Sequence, residues 1–424
     1  MKKIELQGLD LCAYTEKLKN GLEVIMIPFE DKNNYFISYA TRYGSEVTTF
    51  IDSETNKEIT VPDGIAHFLE HKMFEQEDGV DPFSYFSESG TGANAGTYYD
   101  YTEYICYGNK NFNDNLEYLI SYVNSPYYTD ENVEKEKGII AEELKMYADM
   151  PDYKLEQSLR EATYKKHPRR IDIGGTIEEI NKITKEDLYK CYNNFYSPNN
   201  MFILIVGKFD MEKASKIIHK SLDNKENRPK TIIKPVVEDD KINKKETISY
   251  ADIKLPKIGV GLKLSTKELD KYDDLLLDLY LQMAMSLSFG KSSLFMEDIR
   301  ERKIVNGFQF GWESIKDIKT LFIMASSKEP DELIKAIKEQ LNNLKIKEED
   351  LNRVKKVWIA NEIKIADYIN NMKENVFDDL IRYGHLIPNR IDIIRSMNVK
   401  DINYIISKID PSNIAVVKLL PKEA

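Results

Sequence analysis

Cysteine and histidine are scarce in this chain, and each scarcity narrows its chemistry. The 3 cysteines, Cys12, Cys106 and Cys191, are odd in number and widely separated. That spacing excludes a disulfide framework and a CxxC zinc site, leaving reduced, partly buried thiols. No apolar run approaches the roughly 18–20 residues needed to span a bilayer. The opening segment, MKKIELQGLDLCAYTEK, carries lysines but neither an apolar core nor a small-residue cleavage site, unlike a secretory signal. A cytoplasmic protein with no membrane partner is expected. Excess positive charge is missing too. The net charge of −11 argues against nucleic acid and suits basic or neutral peptide partners. Lysine-rich stretches are interleaved with Glu and Asp, so they read as solvated helix faces.

What is present is the composition of a soluble globular chain, 42% hydrophobic and 31% charged. At 424 residues it is too long for one ordinary core, so two domains are expected. Asn20-Gly21, between TEKLK and LEVIMIP, signals a type I′ hairpin. Strand-like runs follow at 35–44, near 95–108 and at 202–207, with amphipathic helical patterns among them. This mixture indicates an α+β fold in which a mainly antiparallel sheet is packed with helices.

The chain also echoes itself. INKITKEDLYKCYNNFYSPNNMFILIV (180–206) and IRSMNVKDINYIISKIDPSNIAVVKL (394–419) both run from a short helix through a Pro-Asn or Pro-Ser-Asn turn into an aliphatic strand. An offset of about half the chain is what duplication gives, so two tandem homologous domains are expected. The charged, proline-containing stretch 223–246 suits a linker. Domain one is then 1–222 and domain two 247–424.

The chemistry concentrates at Val61-Pro-Asp-Gly-Ile-Ala-His67-Phe-Leu-Glu70-His71. Asp63 is placed to cap a helix, on which His67 and His71 are i and i+4 and project from one face. Two imidazoles one turn apart suit one tetrahedral zinc. Glu70, on the same side, is placed to deprotonate a water that the metal acidifies. Catalytic zinc takes three protein ligands, so a third must come from elsewhere. The segment 131–150 is the best source, with Glu136 and Glu143 two turns apart on one helix face and Glu142 turned about 100° away. With only 5 histidines in the chain, an accidental H-x-x-E-H is rare. His167, His219 and His385 have no partner motif and read as structural. After the motif, SESGTGANAGTYYDYTEYICYG (87–108) has small residues and then β-favouring ones, a strand whose edge suits an extended peptide.

Together, His67–His71, Asn94-Ala95, the Asp100/Thr102/Tyr104 pattern, EKEKGIIAEELKMY, HPRRIDIGGT (167–176) and the Ser-Pro-Asn-Asn turn resemble the pitrilysin/insulinase family of metallopeptidases, over essentially the whole chain. The likeness is to its bacterial and mitochondrial-processing-peptidase-like branch. The resemblance implies one Zn2+ per chain held by His67, His71 and Glu143, with Glu70 as general base and Glu136 as a further functional carboxylate. It implies that Asn94 and Ala95 hold the substrate backbone, in a zinc endopeptidase cleaving extended peptides or unfolded segments. The family's C-terminal domain also supplies an Arg and, seven residues on, a Tyr. Arg300 matches the first, but position 307 is Gly and the nearby Phe308 lacks a hydroxyl. The expected assembly is therefore a heterodimer with a homologous subunit, in which this chain is the zinc-bearing member, or a homodimer. A non-catalytic scaffold of the same fold is the competing reading, and the intact motif speaks against it.

Overall fold

Two sheets organise the computed structural model, which describes residues 1–422. In the first half, β1 (Lys2–Leu6) pairs antiparallel with β2 (Leu11–Lys17), which pairs with β3 (Glu23–Pro28). The β2–β3 hairpin is the one expected at Asn20-Gly21, but it is not a two-residue turn. The last pair is Lys17↔Glu23, so residues 18–22 form the loop. Gly21 has φ +93°; Asn20 instead buries its side chain, donating to the carbonyls of Leu222 and Lys225 at 2.7 and 3.1 Å. A distant tertiary contact has overridden the local turn preference.

The first half continues through β4 (Tyr35–Thr41), β5 (Thr49–Ile51), β6 (Glu58–Thr60), α1 (Ile65–Lys72), α2 (Pro82–Glu88), β7 (Gly92–Thr97) and β8 (Thr102–Gly108). Helices α3 (Phe112–Val123), α4 (Asp130–Ala148), α5 (Pro151–Thr163), α6 (Ile177–Ile180) and α7 (Lys185–Phe195) lead to β9 (Met201–Gly207) and α8 (Met211–Leu222). The second half runs β10 (Ile232–Ile233), β11 (Glu246–Ala251), β12 (Lys257–Ser265), α9 (Asp274–Phe289), α10 (Leu294–Glu301), β13 (Gly307–Ile315) and β14 (Ile318–Ser326). It ends with α11 (Pro330–Asn342), α12 (Glu348–Ile365), α13 (Ile369–Arg382), α14 (Arg390–Ser396), α15 (Val399–Ile406) and β15 (Ile414–Pro421).

The sheet orders make the repeat explicit. Sheet one is β1-β2-β3-β9-β4-β8-β7 and sheet two is β11-β15-β12-β14-β13. Without β1 and β2 the two are identical in connection. In each, the first strand runs parallel to the last and every other neighbour is antiparallel. The last strand is interior and largely buried in both, which is why its sequence is aliphatic rather than alternating. The helix–turn–strand echo in the sequence is the closing unit of each copy.

The compact units do not follow the linear division 1–222, 223–246 and 247–424. Unit one comprises residues 1–144, 172–235 and 362–390; unit two comprises 145–171, 236–361 and 391–424. Each half thus lends a helix. In unit one, α13 places Ile369, Met372, Val376, Phe377 and Leu380 over Ile25, Ile27, Phe202, Leu204 and Val206. In unit two, α5 places Leu155, Leu159 and Ala162 over Ala415, Val417 and Leu419. A Cβ at Gly261 of β12 would lie 2.2 Å from the Thr163 hydroxyl, so α5 approaches the sheet as only glycine permits. Local periodicity reveals that α5 and α13 are amphipathic, but not which sheet each covers.

The supposed linker is also partly packed. β10 pairs with β5, and Glu238 is buried in unit two. Its carboxylate lies 2.6 Å from Lys263 Nζ, whose side chain is fully buried. It also accepts the backbone N–H groups of Lys165, Lys166 and His167 at 2.8, 2.8 and 2.6 Å. Burial works to raise the Glu238 pKa, but these donors outweigh it and the pKa falls. Charge in this stretch therefore marks an internal ion pair as well as a solvated connector. Among the described residues no helix is long and apolar enough to cross a membrane. Glu238→Ala would strand a buried ammonium, and should lower stability by about 3–5 kcal/mol. The urea midpoint should fall accordingly, and Glu238→Gln with Lys263→Met should recover part of the loss.

Candidate metal centre

Helix α1 begins at an unusual junction. Its N-cap is Gly64, at φ +85° with no side-chain cap bond, rather than the expected Asp63. Tertiary packing replaces the cap. A Cβ at Gly64 would lie 2.3 Å from the Gly174 carbonyl oxygen, and one at Gly175, φ +74°, would lie 2.5 Å from the Asp63 carbonyl oxygen. The Gly174-Gly175 loop, part of the HPRRIDIGGT stretch, therefore presses directly on the entry of α1. From there Ile65, Ala66, Phe68 and Leu69 anchor one face of the helix in the core. His67 and His71 are left half-buried on the other face, with ring centroids 4.6 Å apart.

Helix α4 supplies the carboxylates. Ile140 is buried and sets the inward face; Ile139 is 48% exposed. Glu136 is buried, Glu143 half-buried and Glu142 exposed, as the helix spacing requires. Glu143 Oε2 lies 3.4 Å from His71 Nε2 and 3.9 Å from His67 Nε2. All three ligand atoms of His67, His71 and Glu143 fall within 4.8 Å of one another. Two donors on a tetrahedral zinc with bonds of about 2.0–2.1 Å stand about 3.3–3.4 Å apart, so the set fits with small side-chain movements. Two imidazoles and one carboxylate are also the donor chemistry of catalytic zinc.

Glu136 stands behind His71, its Oε1 3.1 Å from Nδ1, which turns Nε2 toward Glu143. Its other oxygen is 3.9 Å from the ammonium of Lys72, a fully buried residue that also pairs with Glu75. Sequence reasoning missed Lys72. The available signal was a lysine next to the motif, on the helix face that the apolar spacing assigns to the core.

The electrostatics divide the two histidines. Burial and the neighbouring His71 lower the His67 pKa to about 4. For His71, burial opposes protonation, yet Glu136 and Glu143 raise the pKa to about 10. Glu70 is buried, and that burial raises its affinity for a proton against the pull of His71 and Thr97. Thr97 Oγ1 donates to Glu70 Oε2 at 3.1 Å.

Thr97 belongs to β7, the outermost strand of sheet one. Ala93, Ala95 and Thr97 face α1 and the core, while Asn94 is exposed on the opposite face. Asn94 and Ala95 thus flank the strand's outer edge, with which no described strand pairs. Arg300 lies in unit two. It is exposed on α10, donates to the Lys291 carbonyl at 3.2 Å, and borders a cavity of about 330 Å³ with Gly307 and Phe308. Of the other histidines, Nδ1 of buried His167 accepts the Arg169 backbone N–H, and His219 lies beside Asp223.

Residues 40–177 match the family model Insulinase (Peptidase family M16), and residues 182–357 match Peptidase M16 inactive domain. The chain is 35% identical to the uncharacterized zinc protease YmfH of Bacillus subtilis, covering 100% of both. It is 27% identical to a mitochondrial-processing peptidase subunit beta of Schizosaccharomyces pombe over 49% of this chain and 44% of the other. An M16-like peptidase of Alicyclobacillus acidocaldarius superposes with a TM-score of 0.91 at 29% identity, covering 98% of this chain and 100% of that one. With both halves matched and full-length identity of 35% to a zinc protease, the chain belongs to the pitrilysin/insulinase (M16) family of peptidases.

Proposed function

We propose that this chain is a zinc-dependent endopeptidase that cuts extended peptides at the His67–His71–Glu143 centre. The observation that carries the reading is the convergence of three ligand atoms within 4.8 Å, with Glu70 one turn from His67 on the same helix. When bound, zinc would acidify a water and polarise the scissile carbonyl. His67, His71 and Glu143 hold one metal per chain, and Glu136 orients His71. Glu70 takes the proton of the attacking water and passes it to the leaving amine. Its burial suits this work, because desolvation favours the protonated carboxyl that the second transfer requires. The unpaired edge of β7 offers alternating N–H and C=O groups to an extended substrate backbone.

The same reading makes the chain the metal-bearing member of a pair. At position 307 there is no hydroxyl to accompany Arg300, and Phe308 packs toward Phe289 and Phe295 at 6.0 and 5.8 Å. A related subunit with the Arg/Tyr pair would complete the site, and the S. pombe relative is itself named as a subunit. Loss of one positioned donor costs about 2.7–4 kcal/mol in the transition state, roughly a hundredfold or more in rate.

Metal analysis should find one zinc per chain, lost in His71→Ala and Glu143→Gln but kept in Glu142→Gln. Glu70→Gln should keep zinc and lose turnover of an unstructured peptide; a near wild-type rate would exclude it as the base. Position 307 gives a separate test. A Cβ there meets nothing nearer than Ser326 Oγ at 3.9 Å, so Gly307→Tyr should fold and raise the slow turnover of the chain alone about tenfold or more. Full activity from the unmodified chain, with no gain from Gly307→Tyr or a related subunit, would defeat the two-subunit reading.

A further inference from the structure

We propose that Thr97 is the positioning residue of the base, its hydroxyl aiming the Glu70 carboxylate at the reacting water. The inference rests on the peptidase reading above. Glu70 sits at the end of a two-carbon arm, and burial alone does not choose its rotamer. Thr97 does so by donating from Oγ1 to Oε2 at 3.1 Å.

The direction of that hydrogen bond follows from the neighbouring groups. Thr102, the pairing partner of Thr97 across β7 and β8, places its Oγ1 3.0 Å from the Tyr43 carbonyl oxygen and 3.4 Å from Thr97 Oγ1. A carbonyl only accepts, so the Thr102 proton goes to Tyr43. The single Thr97 proton is then directed to Glu70. Both threonines are buried, Thr97 at 8% exposure and Thr102 at 0%, so water does not compete for these groups. β-Branching restricts the Thr97 side-chain rotamer, and the strand pair fixes its backbone.

The placement also ties the base to the substrate. Thr97 ends the same strand whose outer edge is open to an extended peptide. A peptide pairing with β7 therefore lies along the strand that holds Glu70. The hydroxyl then acts on the chemical step more than on binding, and its removal lowers kcat while leaving KM nearly unchanged.

The test uses the full-length, zinc-loaded chain and an unstructured peptide of about ten residues. Thr97→Val keeps the shape and removes the hydroxyl. It should lower kcat about 10- to 100-fold, with KM within about twofold and zinc content and thermal midpoint unchanged. Thr97→Ser restores the donor and should recover most of kcat. In a Glu70→Gln background, Thr97→Val should give no further loss, because the two act through one group. Wild-type kcat in Thr97→Val, an equal loss in Thr97→Ser, or the same fractional loss without Glu70 would overturn the role of Thr97 while leaving the peptidase intact. Should Thr97→Val fail to fold, Thr97→Ala against Thr97→Ser makes the same comparison. A zinc-loaded chain with no peptide turnover alone, as Gly307→Tyr or with a related subunit would overturn the peptidase reading and this one together.

Discussion

The contact of α1 with α4 at His71 is the constraint around which the rest of the centre is arranged. Glu136 holds Nδ1 of that imidazole from behind, and Glu143, two turns along the same helix, meets Nε2 from in front. Both carboxylates can do this only if α4 lies at one rotation and one height against α1. Ile140, buried between them in sequence, sets the rotation. The Gly174-Gly175 loop secures α1 from its other end by backbone contact with Asp63 and Gly64. A cluster of three ligands, a buried ammonium and a buried base is otherwise an unfavourable thing to assemble. The fold supplies partners for each: Lys72 for Glu136 and Thr97 for Glu70.

The duplicated architecture explains how one copy can carry the His-His-Glu cluster and the other none. Both sheets have the same connection. Where the first copy has α1 with its two histidines, the second has α9, which carries no histidine and whose buried carboxylate, Asp278, pairs with Lys319. Helix α12 takes the place of α4 and carries Val354 in its buried stripe where a ligand helix needs carboxylates. The exchange of α5 and α13 has a separate consequence. Each sheet buries one face beneath a helix from the other half.

Much of this was legible in the sequence because it depends on short-range periodicity. An i, i+4 pair of histidines and an i, i+7 pair of glutamates state which face of which helix bears the ligands, and a solvated Glu142 follows from the same geometry. The repeated helix–turn–strand unit announced duplication because its aliphatic strand can exist only at the centre of a sheet. Long-range closure was not legible. Asn20 spends its side chain on carbonyls 202 and 205 residues away instead of forming a tight turn. Glu238, in a stretch read as a linker, is neutralised by a lysine brought in from β12. Asp63 is displaced as a cap by a loop that arrives only after 110 further residues of chain, at Gly174.

By itself, then, the sequence determined the chemistry on offer: two imidazoles, a carboxylate between them, a pair of carboxylates on one helical stripe and a small-residue strand. Those properties are local, set by 3.6-residue and two-residue periods that hold wherever the segment lies. Only the tertiary structure decided which carboxylate faces the histidines and which stands behind them, that Thr97 on β7 reaches Glu70, and which sheet each exchanged helix covers. Such outcomes depend on the relative height and rotation of elements far apart in sequence. They are set by packing and by the need to pair every buried charge, for which no local pattern exists.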